Sequence, residues 1–192
     1  MTPIRLSSKV AGRGDACMAF SEQAGAIPPI RRSVLVRSDR AHVFEVFVGE
    51  LGQWWPTMSH SLGGDRLAKV TVERHEGGRV YETWDDGTEC VWGEVLLWEP
   101  PERYAMTWES TRYDHGADDL KLSPEGAATE VELRFLELGP ALTRVELEHR
   151  GWERLSPALA ARYPSSYSSG WASILDRLVA YAEDPQNELP GV

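Results

Sequence analysis

The sequence predicts an α+β fold: a curved antiparallel sheet of about seven strands, closed by one long C-terminal helix, with an internal cavity between them. Three observations predict it. The elements read in the order strand, helical segment, six strands, long terminal helix, and neither a parallel βαβ rhythm nor an internal repeat interrupts that order. Residues 128–150 alternate apolar and charged side chains with a period of two, the pattern of a sheet covered on one face. A straight helix cannot fill a curved sheet everywhere, so space between the two is expected.

Residues 1–29 are rich in Ser, Gly, Ala and Pro without periodicity, so a disordered tail is expected there, with Met18 as good a start as Met1. The folded domain is expected over 30–184 and a second disordered tail over 185–192. The stretch IRRSVLVR, Ile30 to Arg37, reads as a strand. Ser38 stands at the N-cap position of a helix whose apolar face recurs as Val43, Phe44, Phe47 and Leu51. That helix should stop by Gly52 or shortly after Pro56. Runs 67–75, 78–85, 89–98 and 103–110 read as antiparallel strands, with a two-residue loop in DDGT, Asp85 to Thr88, and a second turn in EPPE, Glu99 to Glu102. Strands 128–138 and 142–150 follow, joined around Gly139-Pro140. Tyr163, Tyr167, Trp171, Ile174, Leu175 and Leu178 then mark the buried stripe of the long helix, which Pro164 should interrupt or restart.

A chain of 192 residues, 42% hydrophobic, can bury one good core. A net charge of −10 and a pI near 5.0 argue against nucleic acid and anionic membranes as partners, because either would be repelled. Cys17 and Cys90 suggest neither a disulfide framework nor a metal site, and the run Ala16 to Phe20 is too short for a signal-peptide core or a membrane span. A cytoplasmic protein is expected. The five histidines show neither HxH nor HExxH spacing, no GxSxG elbow occurs, and Gly63-Gly64 and Gly77-Gly78 form no phosphate loop. No catalytic residue, metal or cofactor is therefore expected.

The candidate cavity follows from strand counting. If Asp86-Gly87 is the hairpin loop, Tyr81 lies opposite Trp92 and Arg79 opposite Glu94, and these four share the inner face. The same count through EPPE adds Leu96, Trp98, Tyr104, Met106 and Trp108. The last hairpin adds Val131, Leu133, Phe135, Val145, Leu147 and His149, with the charged residues between them pointing outward. Two readings of Arg79, Glu94 and His149 stand side by side: a cross-strand ion pair with a hydrogen-bonded core histidine, or groups that orient the polar end of an apolar ligand. His149 with Glu94 is also the one arrangement that could act as acid and base. In the stretch QWWP, adjacent residues on a helix lie about 100° apart, so Trp54 and Trp55 cannot share one narrow stripe. Trp54 is expected to anchor the helix to the core, and Trp55 to roof the cavity mouth. Trp152 and Trp171 stand where the last strand hands over to the helix, and both are counted as cavity candidates.

The string VERHEGGRVYETWDDGTECVWGEVLLWEPPERYAMTW, followed by ATEVELRF, LTRVELEHRGWERL and SYSSGW, resembles the activator of Hsp90 ATPase homologue (AHSA1-like) family of the helix-grip, START/Bet v 1-like (SRPBCC) superfamily, over about residues 30 to 184. Tyr113 to Ala128 is longer and more polar than the usual connection, and the N-terminal tail has no counterpart. The resemblance implies a cavity between sheet and helix and three functional classes. The first is a non-catalytic protein that binds a small, largely apolar or amphipathic molecule. The second is a module that contacts an Hsp90-type chaperone, and the third a cyclase- or hydrolase-type enzyme using the same cavity.

Overall fold

The computed structural model describes residues 27–56, 61–108 and 128–187. The expected tails lie largely outside the described residues; at their inner ends Ile27 packs against the core and Pro185–Asn187 forms a 3-10 turn. Seven strands form one antiparallel sheet: β1 (Ile30–Val36), β2 (Leu67–Val72), β3 (Arg79–Trp84), β4 (Glu89–Glu99), β5 (Arg103–Trp108), β6 (Thr129–Gly139) and β7 (Leu142–Arg150). Their spatial order is β1-β7-β6-β5-β4-β3-β2. The sheet curls around a helix of 26 residues, Pro157–Ala182, and around two shorter helices, Arg40–Gly49 (α1) and Leu51–Trp54 (α2). The long helix, α3, packs on β1 and on α1. No helix among the described residues is long and apolar enough to cross a membrane.

Local chemistry sets the boundaries. The N-cap of α1 is Asp39, one residue after the expected Ser38, and its carboxylate accepts from the His42 N–H at 3.0 Å. Pro164 lies inside α3 without ending it. Its ring removes one backbone donor, and the buried stripe on both sides, Leu159 and Tyr163 before it and Trp171, Ile174, Leu175 and Leu178 after it, holds the helix together across the gap.

The β6–β7 hairpin has the expected register, pairing Val131 with His149, Leu133 with Leu147 and Phe135 with Val145, all buried. The β3–β4 hairpin differs. Trp84 N–H donates to Thr88 O at 2.9 Å and Gly87 N–H to Trp84 O at 3.0 Å, so the loop has three residues, with Gly87 at φ 81° as only glycine tolerates easily. Tyr81 therefore pairs with Val91, and a bulge at Trp92 restores the pairing of Arg79 with Glu94. A second irregularity between Val95 and Leu97 turns Leu96 outward, where it is exposed.

Candidate functional site

The interior is built from aromatic rings. Residue Trp54 ends α2, is buried, and donates its indole N–H to the Val46 carbonyl at 2.9 Å, so it anchors the helical segment. Trp55 then adopts an extended backbone, φ −61° and ψ 139°, which takes its side chain off the helix and toward the sheet. It does not roof the cavity. Its ring is 4% exposed and lies 6.3 Å from Trp92, 6.0 Å from Trp108 and 6.1 Å from Trp171, in the middle of the cluster.

His149 sits at the other side of this cluster with no solvent exposure. An indole nitrogen can only donate, so the 2.9 Å bond from Trp171 Nε1 makes His149 Nδ1 the acceptor and leaves the proton on Nε2. That proton goes to Thr129 Oγ1 at 2.7 Å, and the threonine hydroxyl in turn donates to the Trp108 carbonyl at 3.3 Å. Trp152 packs at a tilt against the imidazole, with ring centres 4.2 Å apart and planes 43° apart, and donates to the His149 carbonyl at 3.2 Å. Gly151, at φ 91°, makes the left-handed turn that tucks Trp152 beneath the ring. Burial lowers the pKa of His149 to about 3, so the ring is neutral at pH 7. Its two nitrogens are committed to the protein.

Three of the expected cavity residues lie elsewhere. Arg79, Tyr81 and Glu94 point to the outer face, where the Arg79 guanidinium lies 4.4 Å over the Tyr81 ring and pairs with Glu73 at 2.7 Å and Glu89 at 2.9 Å. The expected ion pair with Glu94 is not made. A three-residue loop instead of two moves the count by one near the turn, which transfers the inward face of Trp92 onto Tyr81; in the molecule Val80 and Glu82 hold the inward positions. Glu94 is exposed, so it does not converge with the buried His149 and no acid–base pair exists between them.

The inward carboxylate is one that strand counting missed. Glu82, 2% exposed, accepts from Ser61 Oγ at 2.9 Å, from the backbone N–H of Leu62 at 3.1 Å and of Gly63 at 2.9 Å, and from Trp84 Nε1 at 3.3 Å. It organises the chain just beyond the tryptophan pair. Gly63 is needed there, because a Cβ would meet Trp84 Nε1 at 2.5 Å.

An opening reaches this interior between β5 and α3. Trp108, Ser166, Tyr167, Gly170, Trp171 and Ile174 line a half-open cleft of about 180 Å³, in which Trp108 Nε1 donates to the Tyr167 hydroxyl at 3.3 Å. The small residues of SYSSGW are what leave the space: Ser166 and Gly170 stand where larger side chains would close it. The cleft thus brings together Trp108 and Trp171 from the expected set, with Trp55, Trp92, His149 and Trp152 directly behind them.

Comparison with known proteins places this architecture. The family model described as activator of Hsp90 ATPase homolog 1-like protein matches residues 37–183. The chain belongs to this AHSA1 family. Among solved structures, the anthrahydroquino-gamma-pyrone synthase Txn09 is 34% identical, with 81% of this chain and 97% of that chain covered and a TM-score of 0.51. The self-sacrificing resistance protein CalC from Micromonospora echinospora is 25% identical, covering 81% and 94%, with a TM-score of 0.55. The Aha1 dimer from Colwellia psychrerythraea is 14% identical over 81% and 96%, with a TM-score of 0.55, a likeness of fold. No curated protein matches the chain by sequence. This AHSA1-family domain therefore carries the helix-grip arrangement of curled sheet and C-terminal helix.

Proposed function

We propose that this AHSA1-family member is a cytoplasmic protein that binds a planar, largely apolar small molecule in the cleft between β5 and α3. The carrying observation is the aromatic lining, Trp108, Tyr167 and Trp171, around an opening of about 180 Å³ that leads to a continuous cluster of buried rings. Flat aromatic walls favour flat aromatic ligands through stacking and edge contacts. The names of Txn09 and CalC, a synthase and a resistance protein, support a small molecule as the partner. Fluorescence titration tests the reading: anthracene-2-sulfonate should quench the tryptophan emission of the wild type saturably and should lose at least about tenfold in affinity in Gly170→Leu, which fills the cleft from a helix position where leucine is the better helix former. Equal affinity in both proteins would place the ligand elsewhere.

A second reading, synthase-type catalysis in the same cleft, is favoured by the 34% identity to Txn09. His149 gives it little help, since both ring nitrogens are bonded within the fold. A chaperone partner is supported by family membership. Against it, among the described residues Leu35 and Leu136, both exposed on the outer face, pair with the same Arg144, which stands between them.

A further inference from the structure

Five of the six buried indoles can be compared by what their N–H groups meet. Trp54, Trp108, Trp152 and Trp171 each donate their N–H to a named acceptor. Trp92 does not: it is 6% exposed, and its Nε1 is buried with no hydrogen-bond partner among the described residues. A buried donor left unmade forfeits its hydration without compensation, so native proteins leave few of them, and those few call for an explanation.

Its position supplies one. The Trp92 ring meets Trp108 edge to face with centres 5.1 Å apart, and Trp108 is the wall of the cleft. The side-chain hydrogen bond of that wall, to Tyr167 at 3.3 Å, is longer than the usual 2.7–3.2 Å range. The cleft itself, at about 180 Å³, is smaller than the roughly 300–1,000 Å³ of ordinary ligand sites. A fused-ring occupant needs more room, and turning the Trp108 indole aside would bring it against Trp92, the ring directly behind that wall. The other polar groups behind the cleft are already used: His149 by Trp171 and Thr129, and the Thr129 hydroxyl by the Trp108 carbonyl.

We propose that Trp92 determines ligand specificity: its indole N–H donates to an oxygen acceptor, a ring carbonyl or phenolic oxygen, of a planar aromatic molecule that enters the cleft by displacing the Trp108 indole. This inference rests on the cleft being the binding site. It identifies the substrate class as oxygenated aromatics, because an indole N–H can donate but never accept and carries no charge to hold an anion.

Two probes of equal charge and nearly equal shape test it on the full chain: anthraquinone-2-sulfonate, with two ring carbonyls, and anthracene-2-sulfonate, with none. The wild type should prefer the quinone by about 5- to 10-fold, the discrimination expected of one neutral hydrogen bond. Trp92→Phe keeps a ring and removes the donor, and should bring the ratio to near one while changing the affinity for anthracene-2-sulfonate by no more than about twofold. In the wild type, the assigned Trp92 indole N–H resonance should move downfield with the quinone and stay with the arene, a readout independent of how well the variant folds. Equal binding of both probes by the wild type, a preference that survives in Trp92→Phe, or a Trp92 resonance indifferent to the quinone would each overturn the role of Trp92 and leave the cleft standing. Failure of both probes to bind the wild type would remove the cleft as the site, and the inference with it.

Discussion

The two faces of the β6–β7 hairpin bury one ionisable group each and treat it in opposite ways. On the inner face His149 is enclosed by tryptophans, and burial lowers its pKa to about 3. On the outer face Glu132 is 5% exposed, yet it keeps its charge. Burial pushes its pKa up, but hydrogen bonds from Arg150, Arg134 and Arg103, at 2.9, 2.9 and 3.0 Å, outweigh this and bring it down to about 2. Both values fall, and they mean different things: a lowered histidine is neutral, a lowered carboxylate is charged. Burial beside rings that offer only neutral partners removes a charge. Burial beneath a lattice of arginines, each still 37–53% exposed at the side chain, preserves one.

The largest effect should come from the aromatic face. Trp55→Ala and Trp54→Ala should each lower unfolding free energy in urea by about 3–5 kcal/mol, as truncation of a buried tryptophan does. Near-native stability of Trp55→Ala would show that its ring is not part of the core. The second effect separates the faces by pH. Because the folded value of His149 is depressed from 6.5 to about 3, its contribution is complete above pH 6.5 and is lost as pH falls toward 3. The slope approaches about 1.4 kcal/mol per pH unit. The corresponding contribution of Glu132 is complete above 4.5 and is lost toward pH 2. Stability measured between pH 6.5 and 4.5 should therefore slope in the wild type and flatten in His149→Phe, which at pH 7 should also cost about 1–3 kcal/mol for the partners left unpaired. The smallest effect belongs to the charged face: Glu132→Gln should cost about 1–2 kcal/mol, below the usual cost of breaking a buried pair, because its arginines stay in contact with water. The pH slope above 4.5 should be unchanged in that variant, and a slope altered there would break the separation of the two faces.

Particular residues show how far the sequence could be read. The inward set Val131, Leu133, Phe135, Val145, Leu147 and His149 was legible because every alternate residue is charged, so a slip by one would have buried six charges. The β3–β4 hairpin carries no such safeguard. Val80 and Tyr81 are both apolar in part, Arg79 and Glu82 both charged, and either parity leaves one ionisable residue inside. The faces of Arg79, Tyr81 and Glu94 were consequently misread. Thr129 shares the inward parity of Val131 and could have been named as the partner of His149. Ser166 and Gly170 in SYSSGW were a signal of space that the apolar stripe of the helix overshadowed.

The sequence by itself determined the order of elements, the antiparallel sheet with its terminal helix, the family, and the inner face of the last hairpin. Each rests on local periodicity or on a long run of residue types, which nearest neighbours in the chain suffice to specify. Only the tertiary structure decided where Trp55 goes, which tautomer His149 holds, that Glu82 rather than Glu94 turns inward, and that Trp92 keeps an unmade donor behind Trp108. These depend on a single bulge, one extended residue after a short helix, and partners such as Thr129 and Trp171 that lie 20 and 22 residues from His149 along the chain. One-residue changes of register leave composition and pattern almost untouched while reversing every side chain between the turn and the bulge, so their outcome is settled by packing.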